Sequence, residues 1–180
     1  PERRAPTAEE RHRASTIVAD RLTGAVANPI IRNAQEKRQL RVMEAYLIRK
    51  GYAKKSHPPN VPLDRMTPGT FTFHYPVVTG NETHKVNVSV DALIQPHVSR
   101  ANRLPVMVEA KSAGDFTNTN KRRKEEAKKI GQLKATYGDG ICYVVFLCGY
   151  FDSGYLGYEA ADGIDWVWEH RIEDFEQLGI

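Results

Sequence analysis

Two carboxylates and a lysine stand where chemistry would need them. Glu109-Ala110-Lys111 closes the apolar run that begins at Leu104, and Asp91 lies upstream in an alternating segment of its own. Ionised groups at the end of an apolar strand are costly unless they are paired or metal-bound. Taken alone, Glu-x-Lys is a common tripeptide and reads as an exposed Glu–Lys pair at a strand end. Asp91 shifts that reading. Residues two apart on a strand share a face, so Glu109 and Lys111 project together. If the strand carrying Asp91 pairs with theirs in register, all three side chains converge. Two acids on adjacent strands suit Mg2+, which takes a few carboxylates and keeps waters. A cation so held beside a phosphate makes a water nucleophilic and the phosphorus electrophilic, the requirements of phosphodiester hydrolysis.

The elements that must position these residues follow from periodicity. Residues 70–78 and 84–95 read as two strands joined at Gly80-Asn81. In the second, Val86, Val88, Val90, Ala92 and Ile94 alternate with Asn87, Ser89, Asp91 and Leu93, which predicts one apolar and one polar face. In residues 104–111, Val106, Val108 and Ala110 oppose Met107, Glu109 and Lys111. The valines are expected to anchor the site in the core. Residues 141–148 are apolar throughout, as in a central strand covered on both faces. Before the sheet, residues 30–50 read as a helix ending at Gly51, with Glu36, Leu40, Met43 and Leu47 at the spacing of one face. Glu36 therefore lies on the inward stripe, either near the metal or simply as a first-turn acid favoured by the helix dipole. Glu44 falls on the solvated side.

Residues 8–22 read as a basic helix capped by Thr7, and Asn28-Pro29 as a turn or the entry to the next helix. Residues 53–69, with four prolines, read as a loop, and residues 119–136 as a very basic helix. The tail holds a Gly/Asp-rich stretch, Trp166, Trp168 and a short helix near 171–178. Helix, strand, strand, strand, helix, strand implies an α/β or α+β fold with helices on a sheet.

The chain of 180 residues is long enough for one domain with a real core. Its net charge of +4 hides a split: residues 1–134 carry 25 Lys/Arg against 13 Asp/Glu, and residues 135–180 carry 1 against 9. Such polarity suggests one face for a polyanion and another for solvent. Cys142 and Cys148 have no zinc-site spacing, and the six histidines are scattered. No apolar run approaches the roughly 18 residues of a membrane span. Reduced cysteines and a charged N-terminus without an apolar h-region predict a cytoplasmic protein. The first residue is Pro1, so the sequence reads as a possible fragment.

Asp91 and Glu109-Ala110-Lys111 in this order of elements resemble the PD-(D/E)XK nuclease superfamily. The stretch VEAKSAGDFTNTNKRRKEEAKK (residues 108–129) and the helix NPIIRNAQEKRQLRVMEAYLIRKGY (residues 28–52) are similar to type II restriction endonucleases of the XamI kind. The resemblance implies a PD-(D/E)XK restriction-endonuclease-like core, a mixed central sheet flanked by helices. It divides the chain into an N-terminal helical arm (1–27), the core (28–150) and a C-terminal extension (151–180). It implies a Mg2+-dependent endonuclease for double-stranded DNA, a homodimer that leaves 5′-phosphate and 3′-hydroxyl. Asp91 and Glu109 become metal ligands, Lys111 positions or activates the attacking water, and Glu36 matches the first-helix acid. Val90 stands where the superfamily's name has proline. Ser112, Asn118, Asn120, Lys121, Arg122, Arg123 and Lys124 become DNA contacts, able to approach phosphates and base edges. Gln132 and Tyr137 read as ordinary helix residues, and Tyr155, Tyr158, Trp166 and Trp168 as packing or dimer contacts. Two alternatives stay open: a repair or junction-resolving nuclease of the same superfamily, and a non-catalytic DNA-binding module on a decayed nuclease fold.

Overall fold

The computed structural model describes residues 4–81, 83–98, 104–112 and 119–180, with the side chains of 119–123 also outside the description. The chain divides into two units, Pro1–Gln35 and Glu36–Ile180.

The first unit is built on helix α1 (Ala8–Arg49), which continues into the second. Its start is a capping box: Thr7 Oγ1 accepts the Glu10 amide at 3.2 Å, and Glu10 Oε2 accepts the Thr7 amide at 2.7 Å. The turn expected at Asn28-Pro29 is absent, and Pro29 lies inside the helix. A proline removes one ladder donor, yet the helix runs unbroken through it from Ala8 to Arg49. Among the described residues of this unit, Ile17, Val18, Leu22, Val26, Ile30 and Ile31 are exposed apolar side chains.

The second unit is a mixed six-stranded sheet with helices. Its strands are β1 (Ala53–Lys54), β2 (Thr70–Gly80), β3 (Lys85–Gln95), β4 (Val106–Ser112), β5 (Cys142–Cys148) and β6 (Asp165–Trp168), in the spatial order β1-β2-β3-β4-β5-β6. The pairs β2–β3 and β3–β4 are antiparallel; β1 pairs with β2, β5 with β4 and β6 with β5 in parallel. Helix α2 (Thr119–Tyr137) links β4 to β5, helix α3 (Ser153–Ala161) links β5 to β6, and a 3-10 segment, Glu169–Leu178, follows. No helix among the described residues is long and apolar enough to cross a membrane.

Each sheet face has its own core. On one, Leu40, Met43, Tyr46 and Leu47 of α1 are buried, and the last three cluster with Phe71, Ala92, Ile94, Val106, Val108, Val144, Phe146 and Phe175. On the other, Ile130 and Leu133 of α2 and Tyr155 of α3 meet Val77, Val88, Val90, Leu93, Met107, Tyr143, Val145 and Leu147. β5 divides its side chains between the two, as its unbroken apolar run requires. α1 ends in a Schellman motif: Gly51 has φ +84°, its amide bonds Ile48 O at 3.0 Å, and the Tyr52 amide bonds Leu47 O at 2.9 Å.

The alternation expected along β3 fails at one place. Val88 and Val90 pack with Leu93 and Met107 on one face, whereas Ala92 and Ile94 pack on the other, and Val86 is half-exposed. The phase slips by one residue at Asp91. Across the β2–β3 ladder the neighbouring pairs are Phe73–Ala92 and Tyr75–Val90, so His74 stands opposite Asp91. His74 has φ +51°, a left-handed conformation that no regular strand contains. A period-2 reading assumes an unbroken extended chain, and this residue breaks it.

The C-terminal tail is integral to the second unit. The Phe175 ring packs against Tyr46 and Phe146 with centroids 5.9 and 5.7 Å away, and Phe175 is fully buried. Phe175→Ala is expected to destabilise the protein by about 3–5 kcal/mol, the usual cost of removing a buried aromatic ring. Urea unfolding would measure it; a change below about 1 kcal/mol would mean the segment docks only loosely.

Candidate active site

The site forms where β3 leaves β4. Their ladder runs from Ile94–Val106 through Ala92–Val108 and stops there, although both strands continue. One register step further lie Asp91 and Glu109. The Ala110 amide donates to Asp91 Oδ2 at 2.8 Å, so the aspartate answers a backbone group at the point where the ladder ends. Gln39 fixes the same end of the sheet from α1: its Nε2 donates to Lys111 O at 3.2 Å and Phe146 O at 3.0 Å while fully buried.

Glu109 and Lys111 share a face, as parity predicts, and both are covered by α2. Lys129 Nζ donates to Glu109 Oε1 at 2.8 Å and to Ser89 O at 3.1 Å. Tyr143 Oη donates to Glu109 Oε2 at 3.4 Å, and Lys111 Nζ lies 4.0 Å from Glu109 Oε1. Lys111 itself pairs with Glu126, which is buried in α2. Tyr155 Oη donates to Glu126 Oε2 at 2.9 Å. Burial, and then the hydrogen bond shared with Glu126, pushes Glu159 up to about 8. Lys111 thus sits on a buried carboxylate whose remaining contacts come from α3.

Glu36 reaches Asp91 from α1, as its place on the inward stripe predicts. Glu36, Asp91 and His74 each offer a ligand atom, and the three atoms lie within 4.8 Å of one another. His74 Nδ1 stands 3.6 Å from Glu36 Oε1. Burial pushes the Asp91 carboxyl up to about 7; the charges of Glu109 and Glu36 add to it, while the Ala110 amide and Lys129 oppose it. Three carboxylates meet here with less positive charge than they need.

Of the residues singled out in the sequence, Asp91, Glu109, Lys111 and Glu36 come together. Ser112 ends β4 opposite Cys148, and Lys124 is exposed on α2. Asn118 lies outside the described residues, as do the side chains of Asn120, Lys121, Arg122 and Arg123. Tyr137 Oη bonds Val78 O at 2.7 Å, and Trp166 and Trp168 pack against the core. Four participants were missed: His74, Glu126, Lys129 and Glu159. Glu126 was findable, since it leads the stripe Glu126, Ile130, Leu133 of α2, the same pattern that marks Glu36. His74 was findable by counting outward from the Gly80-Asn81 hairpin to the position facing Asp91.

The chain belongs to the family described as XamI restriction endonuclease, whose model matches residues 1–168; the resemblance read from residues 108–129 holds. The type II restriction enzyme SalI of Streptomyces albus G is 59% identical over 170 residues, covering 94% of this chain and 54% of that enzyme. The chain therefore spans about half the length of the curated relative it matches. Among solved structures, protein VC1899 from Vibrio cholerae aligns with TM-score 0.42 and 13% identity over 64% of this chain and 28% of that one, too distant to bear on the fold.

The raised Asp91 value has a consequence for stability. Its folded pKa, about 7, lies above the ordinary 3.8. The folded state then binds more protons than the unfolded chain between those values, and stability falls as pH rises through that window. Asp91→Asn, which keeps an acceptor for the Ala110 amide, removes this slope. Without divalent cations, the variant is expected to gain roughly 2–4 kcal/mol on the parent protein between pH 4 and pH 8. Denaturation midpoints across that range would show it; parallel pH profiles would mean that Asp91 titrates normally.

Proposed function

We propose that this chain is the nuclease domain of a type II restriction endonuclease with a PD-(D/E)XK site, hydrolysing double-stranded DNA with Mg2+. The observation that carries the reading is the apposition of Asp91 and Glu109 where β3 parts from β4, with Lys111 on the Glu109 face. Family membership supports the reaction class, and the relative's printed title supports site-specific cutting.

The donor set fits the cation. Asp91, Glu109 and Glu36 are hard oxygen ligands, the donor type this cation takes. Asp91 and Glu109 would hold Mg2+, with Glu36 beside them. When bound, it supplies charge for the phosphate oxygens and acidifies a water. Lys111, fixed by Glu126 at its Nζ and by Gln39 at its carbonyl, orients the attacking water. The water oxygen bonds to phosphorus and the P–O3′ bond breaks. One water proton is lost to solvent and the departing 3′ oxygen gains one, which leaves 5′-phosphate and 3′-hydroxyl ends. Lys129 restrains Glu109 until a cation competes for it.

Ser112, Asn118, Asn120, Lys121, Arg122, Arg123 and Lys124 follow the site directly in sequence and serve as contacts to phosphates and base edges. A homodimer in the cytoplasm, each copy cutting one strand, is the assembly this reading entails.

The purified protein with Mg2+ is expected to cut a defined DNA duplex into discrete fragments bearing 5′-phosphates. Asp91→Ala and Glu109→Ala should each lower the rate by more than about 100-fold, the upper end of what losing an outer partner of a metal site costs. Smears or branch-specific nicks would favour a repair or junction-resolving enzyme, and metal-dependent binding without cutting a decayed fold. Cleavage that survives both substitutions sinks the assignment.

A further inference from the structure

The geometry points to a cation position with a nitrogen ligand, formed by His74, Glu36 and Asp91, that takes first-row transition cations such as Co2+ more tightly than Mg2+. The inference rests on the reading above in sharing Asp91 and Glu36 with its site. Three observations carry it.

The first is distance. His74 Nδ1 and Glu36 Oε1 are 3.6 Å apart, too far for a hydrogen bond. Ligands of one ion at about 2.1 Å stand about 3.0 Å apart when adjacent and about 4.2 Å apart when opposite. The separation lies between these values, and the Asp91 oxygen completes a trio within 4.8 Å. Three atoms so spaced leave room for an ion among them and bond poorly to one another.

The second is provenance. The ligands arrive from α1, β2 and β3, so no single local motif brings them together. His74 faces Asp91 across the β2–β3 ladder, and Glu36 comes from the helix packed on that sheet. This differs from a run of surface acids, which gathers charge only because its members are neighbours in sequence.

The third is ligand type. Mg2+ takes oxygen donors and gains little from imidazole, whereas Co2+, Ni2+ and Zn2+ favour it in that part of the periodic series. A His–Glu–Asp set therefore discriminates between cations in a way that Asp91 and Glu109 cannot. His74 is more than half exposed, so a cation can reach it directly from solvent. Its exposure also makes a simple ion pair with Glu36 weak.

The test uses the protein without DNA and reads binding, so it is independent of cleavage. Co2+ is titrated into the full chain, following its visible ligand-field bands and the heat of binding, with Mg2+ titrated in parallel. Wild type is expected to bind one Co2+ at least tenfold more tightly than Mg2+. His74→Gly removes the imidazole and accepts φ +51° without strain. It is expected to weaken Co2+ by tenfold or more and to change the band pattern, while altering Mg2+ affinity less than threefold. His74→Asn, which also tolerates the left-handed backbone, should behave alike and guards against a folding defect in the glycine variant. Co2+ affinity and bands unchanged in both variants would overturn the proposal and leave His74 as a partner of Glu36 alone. Equal losses for Co2+ and Mg2+ would overturn it too. Loss of DNA cleavage with His74-dependent Co2+ binding intact would defeat the nuclease reading and leave this one standing.

Discussion

The amide of Ala110 fixes the rest of the site. In an unbroken antiparallel ladder the backbone groups of β4 would be answered by β3, but that ladder ends at Ala92–Val108. A backbone donor left inside a sheet needs an acceptor, and the Asp91 carboxylate provides one at 2.8 Å. This bond holds a carboxylate in a half-buried place it would otherwise avoid. It sets the aspartate one register step from Glu109 and within reach of Glu36 and His74. The parting of the strands, the left-handed His74 opposite and the slip in β3 alternation all occur at this level of the sheet. They are best understood as one distortion, in which the strands part and a few ladder bonds are given up.

Where the strands part, carboxylates gather, and the surrounding lysines engage only some of them. Lys129 bonds Glu109, but Lys111, the other nearby cation, is engaged by Glu126. Glu126 is buried with Glu159 and the Tyr155 hydroxyl beside it. A buried ion pair of this sort is weak evidence for stability, since desolvation consumes much of the attraction. Its effect is positional: the Lys111 ammonium is held on Glu126, 4.0 Å from Glu109 Oε1.

What the sequence made legible, and what it hid, follows from the same distortion. Parity along β4 placed Glu109 and Lys111 on one face because that strand is regular. The helical stripe through Leu40, Met43 and Leu47 brought Glu36 inward because α1 is regular there too. Along β3 the same reasoning assigned Val88, Val90, Ala92 and Ile94 to one face, and the structure splits them between two. Nothing in the composition of residues 84–95 marks the slip, because its cause lies on the neighbouring strand at His74. The strand β6 was hidden for another reason: Asp165–Trp168 is four residues long, too short for any period to register. Glu126 was passed over because the basic character of α2 drew attention to its solvent face.

The charge split along the chain also means something different once the fold is known. Read from sequence, a basic first part and an acidic tail suggest a surface for a polyanion opposite a surface for solvent. In the structure much of that acid is spent on nearby cations. Glu169 takes both guanidinium nitrogens of Arg38 at 2.7 Å, and Glu173 and Glu176 pair with Arg49 and Lys50. These contacts clip the 3-10 segment to α1, around the buried Phe175. Exposed pairs contribute little apiece, though the two-pronged Arg38–Glu169 contact has the geometry of a stronger one. Their larger effect is subtractive: Arg38, Arg49 and Lys50 are held by acids of the tail, as Lys111 and Lys129 are held by Glu126 and Glu109. Lys124 and Lys128 remain exposed on α2, without an ion pair among the described residues. Arg21, Arg32, Lys37, Arg41, Lys55, Arg65 and Lys85 are exposed as well, so the exposed basic side chains are not confined to α2.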